Sequence, residues 1–342
     1  MSNILIIRTS AIGDVAMTIP VVYSVAEDNP QDAFTMLTHT SVMPLFINHP
    51  PNLQVIGINT KTTEKSFFSL LRFGWALRAN KFDMVIDLHN VLRSWILDFI
   101  IRLTGAKIYI MKKLRSANKQ ISARPPKKIF QIRPVINRYS DVFRTAGFKF
   151  EVTFVSLFAK NPVDETAVKA MAGDKTGFWI GIAPFARHKG KIYPIDKMEK
   201  IVARYAKRSD CKLFLFGGGG DEKNILDRWE SIYKHTVNVS GHFTMDMELV
   251  LMSRLDVMVS MDSANMHLAL LTGAKVVSIW GATHPYAGFY GYRRDENKIV
   301  QTNLPCRPCS VYGNKPCYRR DYACLTQIKP ENIIEKIEAF LQ

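Results

Sequence analysis

No apolar run in this 342-residue chain approaches the ~20 residues that a membrane-spanning helix requires. A secretory pattern is missing too: the first apolar stretch runs into Arg8 and Asp14 with no cleavage region, so a cytoplasmic protein is expected. The spaced glycine fingerprint of dinucleotide-binding folds does not occur, which disfavours a nicotinamide enzyme. Nor does any Asp-x-Asp pair, an arrangement often used to hold a nucleotide diphosphate through a divalent ion. Lysine, arginine and a helix terminus are then expected to neutralise any bound phosphate. Cysteine is scarce, with five residues, of which four crowd into one stretch. No short internal repeat is evident.

Acid is also absent between Asp98 and Asp141, in a chain of net charge +16. That interval carries Arg102, Lys107, Lys112, Lys113, Arg115, Lys119, Arg124, Lys127, Lys128, Arg133 and Arg138. Such a surface attracts phosphorylated partners: nucleic acid, anionic lipid headgroups or phosphosugars. Around Arg124–Lys128 there is little aromatic interleaving, which weakens a single-strand nucleic-acid reading. A solvated loop is the plain alternative.

What is present is ordinary for a globular protein: 47% apolar and 22% charged residues. Apolar strands alternate with amphipathic helices throughout. Strands are expected at 4–8, 34–38, 54–58, 84–88 and 107–110, with helices starting near Asp14, Val42, Ser66 and Val91 and another over 132–146. The second half repeats the scheme, with strands at 179–183, 212–216, 237–239, 256–259 and 275–280. Helices are expected at 195–208, 222–233, 245–253 and 264–271, and a last one after Pro330. Alternation of this kind predicts α/β structure: two Rossmann-like doubly wound domains facing an interdomain cleft. The punctuation at Asn161-Pro162 and Gly173-Asp174 places the boundary near 165, giving domains 1–165 and 166–328 and a terminal helix 329–342.

Four segments carry chemistry. In Arg8-Thr9-Ser10-Ala11-Ile12-Gly13-Asp14-Val15, a buried strand ends in a small-residue turn and an aspartate at a helix mouth. Ligands bind beyond the carboxyl ends of strands in open α/β sheets, so Asp14 is placed to act as a general base; it could equally cap its helix. The Gly217–Gly220 run is either a tight turn or a close backbone approach to a ligand near Gly218, with Asp221 or Glu222 available to ribose hydroxyls or serving as first-turn acids. In Pro184–Pro194, Lys191, supported by Arg187, is the cation chosen to stabilise a departing diphosphate. In Asp262-Ser263-Ala264-Asn265-Met266-His267, Ser263 and the first amides of a helix form a phosphate cradle. His267 lies on the same helix face as Ser263 and is either a ligand contact or a core histidine. Cys306, Cys309, Cys317 and Cys324 form C-x2-C-x7-C-x6-C, fit for a structural zinc, for free thiols or for redox pairing. Cys211 is expected in the core.

Together these segments resemble the heptosyltransferase family of inverting glycosyltransferases, on the Arg8–Val15 motif, Lys191-Ile192-Tyr193-Pro194 and Asp262–Ala269. The chain departs from the family pattern in Ser263 and Ala264, where threonine and glycine are usual, and in Tyr193, where tryptophan is usual. The resemblance implies the GT-B fold, an N-terminal acceptor domain, a C-terminal donor domain and a last helix packing back towards the first domain. It implies ADP-heptose as donor and a lipid A–Kdo or heptose glycolipid of the lipopolysaccharide inner core as acceptor, with no catalytic metal and no nucleic acid partner. Asp14 is then the general base and Lys191 the diphosphate contact, with Arg187, Gly218, Glu222, Asp262, Ser263, Ala264 and His267 on the donor. Ser10, Gly13, His89, Asn90, Arg93, Lys112 and Lys113 are expected on the acceptor. Lys112, Lys113, Arg115, Lys127 and Lys128 are expected to hold the protein at the anionic inner membrane surface. Two rivals remain: another nucleotide-sugar enzyme of the same architecture, whether a transferase or an epimerase, and a basic nucleic-acid-binding factor with a zinc loop.

Overall fold

Short runs of Ile, Leu, Val and Met, flanked by turn residues and buried on both faces, form parallel strands, because crossover helices cover such sheets on each side. A computed structural model describes residues 1–161, 163–293 and 295–341. The expected punctuation at Pro162 and the last residue of the terminal helix segment, Gln342, lie outside the described residues.

The chain divides into two units, Met1–Leu114 with Arg133–Leu157, and Arg115–Ile132 with Phe158–Gln342. The first unit holds strands β1 (Asn3–Ile7), β2 (Ala33–His39), β3 (Leu53–Ile58), β4 (Met84–Asp87) and β5 (Lys107–Ile110). They form one parallel sheet in the order β3-β2-β1-β4-β5. Strand order reverses between β1 and β4, where Ile7 is in register with Asp87. Residues of the sheet and of helices Phe67–Leu77 and Leu92–Arg102 share one core, including Leu5, Ile7, Leu70, Leu77, Val85, Leu97 and Ile101.

The second unit holds β6 (Phe178–Ala183), β7 (Cys211–Leu215), β8 (Thr236–Asn238), β9 (Val257–Met261), β10 (Val276–Trp280) and β11 (Ile299–Gln301). Its sheet is also parallel, in the order β11-β10-β9-β6-β7-β8, and reverses between β6 and β9. Each sheet therefore has one topological switch point, the place where open α/β sheets bind ligands.

All ten expected strands are present, with ends shifted by at most two residues. Strand β11 was not expected; three residues are too few to show a period. The helix expected near Val42 is a 3-10 segment, Thr40–Leu45, because Pro44 cannot donate within an α-helix. Helix Arg115–Ile121 lies inside the basic interval, where a loop was expected.

Two features of domain organisation differ from expectation. Residues Arg115–Ile132 belong to the second unit: the Ile132 amide donates to the Tyr286 carbonyl at 2.8 Å, and the Lys127 ammonium donates to the carbonyls of Cys306 (3.0 Å) and Pro308. Burial against this loop lowers the Lys127 pKa. The terminal helix Pro330–Glu338 was expected to pack back towards the first domain. Its apolar residues Ile333 and Ile337 instead join the second unit's core, and Glu338 accepts from the Tyr205 hydroxyl at 3.0 Å.

Candidate functional site

At the first switch point, β1 delivers Arg8 and the turn that leads into helix Ile12–Ala16. The Arg8 guanidinium is buried and donates to the Leu88 carbonyl just past β4, at 2.8 Å. Its Nη2 pairs with Asp14 Oδ2 at 2.9 Å. The Ala11 amide also approaches Oδ2, at 3.4 Å, a weak capping contact beside the ion pair. Asp14 Oδ1 has no partner among the described residues. The Tyr139 hydroxyl donates to the Asp14 carbonyl at 3.3 Å and ties this turn to helix Val135–Thr145.

The turn after β4 is organised by Asp87, which is fully buried. One of its oxygens accepts from the amides of His89 (2.7 Å) and Asn90 (2.8 Å), the other from the Ser94 hydroxyl at 2.7 Å. His89 thus stands with Nδ1 3.0 Å from Thr9 Oγ1 and Nε2 3.4 Å from Ser10 Oγ. Burial, then the positive charge of Arg8, press the His89 pKa down to about 3, with Lys113 and Arg93 adding to the effect. The imidazole is neutral at physiological pH and offers one donor and one acceptor.

Below this turn, Asp98 is buried against Asp87. Burial, and then the neighbouring Asp87 charge, push the Asp98 carboxyl up to about 9. Asp98 is therefore a protonated acid at neutral pH, beneath the turn that Asp87 organises.

Of the expected acceptor residues, Ser10 and His89 meet directly, and Arg93 and Lys113 are close enough to act on His89 electrostatically. Asn90 faces the end of β5, donating to the Met111 carbonyl at 2.8 Å. Gly13 lies within the Asp14 helix. Lys112 is exposed, and its carbonyl accepts from Arg138 at 2.9 Å.

At the second switch point, the loop after β6 carries Lys191 in a 3-10 turn, Lys189–Lys191. Lys191 Nζ pairs with Asp262 Oδ2 at 3.0 Å, and the same oxygen accepts from the Thr283 hydroxyl at 2.8 Å. The lysine stem lies on Gly313, where a Cβ would stand 2.5 Å from its Cγ and Cδ; glycine is required there both by this approach and by φ +78°. Ser263 occupies the N-cap of helix Ala264–Thr272 with extended backbone, and its hydroxyl does not cap the helix. It lies 3.2 Å from the Ser260 hydroxyl instead. The first amides of that helix, starting at Ala264, are thus left without a side-chain cap.

Gly218 donates its amide to Glu222 Oε2 at 2.7 Å, so that carboxylate fastens the glycine turn. Arg187 is exposed. His267, expected either to face a ligand or to sit in the core, is buried, with its Nδ1 beside Gly291.

The four cysteines of the late loop line one narrow cavity with Arg307, and none forms a disulfide. No group of three or more His, Cys, Asp or Glu among the described residues is already placed to hold a metal ion. The loop is ordered by a buried cation. Arg307 is fully buried and donates to the carbonyls of Gly281, Trp280, Thr283 and Thr302 over 2.5–3.2 Å, and Cys324 packs into the core. Burial lowers the Arg307 pKa to about 10, which leaves it a cation.

Sequence reasoning missed the roles of Arg8 and Asp87. Arg8 was visible in the motif, but its return to Asp14 depends on where β4 ends. Asp87, a carboxylate closing a buried strand, was the available signal for an organised turn.

Two doubly wound parallel sheets, each presenting a polar loop set at its switch point, define a two-domain α/β protein built to bind ligands at its strand ends. The family model for glycosyltransferase family 9 (heptosyltransferase) matches residues 70–317, and the chain belongs to that family. The chain is 22% identical over 335 residues to the lipooligosaccharide heptosyltransferase 2 of Campylobacter jejuni, covering 97% of this chain and 96% of the relative. Its fold is similar to the crystal structure of a glycosyl transferase family 9 protein from Veillonella parvula, with a TM-score of 0.75 at 17% identity over 99% and 97% of the two chains. It is similar also to the E. coli heptosyltransferase WaaC with ADP, with a TM-score of 0.69 at 17% identity over 99% of each chain. The fold is GT-B and the protein is a glycosyltransferase. The Arg8–Asp14 turn precedes the matched segment.

Proposed function

We propose that this enzyme transfers a heptose from ADP-heptose to a hydroxyl of a lipopolysaccharide inner-core glycolipid, with inversion at the anomeric carbon and Asp14 as general base. The observation that carries the reading is the state of the Asp14 carboxylate. Arg8 holds Oδ2, and Oδ1 is left for a substrate proton. A carboxylate used only as a cap would be spent on the backbone amides of its own helix.

In this reading the acceptor hydroxyl binds at Oδ1 and loses its proton as its oxygen attacks. Neutral His89, aligned by Thr9 and Ser10, orients the acceptor without adding charge. On the donor side, Lys191 and the uncapped amides at Ala264 neutralise the charge that builds on the departing diphosphate. Asp262 keeps the ammonium in place, and Thr283 keeps Asp262 in place. General-base assistance supplies roughly 10²–10⁴-fold; leaving-group stabilisation and alignment supply the rest. Family membership supports a nucleotide-sugar donor, and the ADP of the WaaC complex makes ADP the first nucleotide to test.

The experiment is direct. Purified enzyme is incubated with ADP-heptose and a heptose-free or heptose-terminated core glycolipid, and mass spectrometry follows the acceptor. Gain of one heptose with stoichiometric ADP release supports the reading. Equal stabilisation of the protein by UDP or GDP, without transfer from ADP-heptose, overturns the donor assignment.

A further inference from the structure

Two neighbouring helices of the first unit carry large apolar side chains on their outward sides. On Leu92–Arg102 and its C-cap, Leu92, Trp95, Phe99 and Leu103 recur at helical spacing and are all exposed, Leu92 by 69% and Phe99 by 65%. On Phe67–Leu77, Phe67, Phe68 and Trp75 are exposed, Phe68 by 80%. The inner sides of both helices fill the same core through Leu70, Leu77, Leu97 and Ile101. They pack closely at Gly74, where a Cβ would stand 2.6 Å from Ile100 Cδ1. Their outward sides therefore form one surface, larger in apolar content than single scattered residues would make it.

The charge around this surface has one sign. Lys65, Arg72, Arg93 and Arg102 are exposed, and Arg78 lies over the Trp75 ring with Cζ 4.3 Å from its centroid. Neither 65–81 nor 88–114 contains an acid apart from Asp98, which is buried. Two copies meeting through this face in a two-fold dimer would oppose cation to cation. Aromatic and leucine side chains rimmed by Lys and Arg match the boundary of a bilayer with anionic headgroups.

We propose that the outward face of helices Phe67–Leu77 and Leu92–Arg102 docks on an anionic phospholipid bilayer. Placement gives the docking a purpose, and this clause rests on the proposed glycolipid acceptor. Both helices run antiparallel to the strands, so their N-terminal ends lie at the sheet edge that carries Asp14 and His89. Leu92 follows Asn90 by two residues, and the Trp95 indole donates to Asn90 Oδ1 at 2.8 Å. Docking through these helices brings the acceptor turn to the bilayer surface. The main contact thereby moves away from the Arg115–Lys128 segment, in which Lys127 is engaged by the cysteine loop.

The test uses the full chain and vesicles of phosphatidylethanolamine with phosphatidylglycerol, against vesicles of phosphatidylcholine. The chain has five tryptophans, of which Trp179, Trp229 and Trp280 are buried, so brominated lipids read Trp75 and Trp95. We expect quenching on anionic vesicles only. Phe68→Ser with Phe99→Ser, and separately Arg72→Glu with Arg102→Glu, should each lower vesicle binding by about tenfold or more, with ADP binding unchanged. Unquenched tryptophans, undiminished binding by both double variants, or a solution dimer that Phe68→Ser with Phe99→Ser dissolves would each overturn the proposal. Because the vesicles contain neither donor nor acceptor, this result and the transfer reaction fail or succeed separately.

Discussion

Arg8 and Asp14, six residues apart, meet at 2.9 Å across the turn that closes β1, and Arg8 is fixed from behind by the Leu88 carbonyl. This single guanidinium connects the end of β4 to the carboxylate beyond β1. Replacing Arg8 with Met removes both contacts while keeping much of the stem volume. We expect kcat to fall by about 10²-fold, within the range of general-base assistance, with donor affinity retained. Arg8→Lys should recover only part of the loss, because an ammonium cannot reproduce the planar fork. Steady-state kinetics with ADP-binding calorimetry checks both variants.

Lys191 and Asp262 form the corresponding pair in the second unit. Lys191→Met removes the cation from the buried Asp262 carboxylate and leaves it the hydrogen bond from the Thr283 hydroxyl, so stability should drop along with activity. Lys191→Met with Asp262→Asn should restore the melting temperature and leave both ADP affinity and kcat low. Recovery of transfer in the double variant would show that Lys191 serves only to neutralise Asp262.

Asp98 makes a pH prediction. Its folded-state pKa, about 9, lies above the ordinary carboxylate value, so the folded state binds the extra proton. The stabilisation is complete below the unfolded pKa and is lost as pH rises towards 9. The wild-type melting temperature should fall more steeply between pH 5 and 9 than that of Asp98→Asn, by at least about 2 °C. Parallel curves for the two proteins would show that Asp98 does not titrate in this window.

Much of this molecule could be read in advance. Strand alternation fixed the two parallel sheets, and the polar residues that follow β1, β6 and β9 marked Asp14, Lys191 and Asp262. The remainder depends on contacts between distant segments. Arg8 reaches Asp14 only because β4 ends at Asp87 and places the Leu88 carbonyl behind it. The Asp87–Asp98 pair is invisible to local pattern, since an acid at 98 looks like an ordinary polar position on a helix. Helical spacing put His267 on the face of Ser263, but that its imidazole is buried with Gly291 beside it depends on a distant segment. Cysteine spacing drew four thiols to one cavity, but the buried Arg307 that ties their loop to the Gly281 carbonyl belongs to no spacing pattern. The basic interval looked uniform, and only the structure separates Lys127, bound to the loop carbonyls, from its exposed neighbours.

The central claim is that the Asp14 carboxylate takes the acceptor proton. Asp14→Asn keeps the size of the side chain and removes its basicity, so its single-turnover transfer rate, measured beside its ADP affinity, is the most direct test. The account predicts normal folding, unchanged ADP binding and a transfer rate lower by about 10²–10⁴-fold. A rate within a few-fold of wild type would contradict it and leave Asp14 as a helix cap.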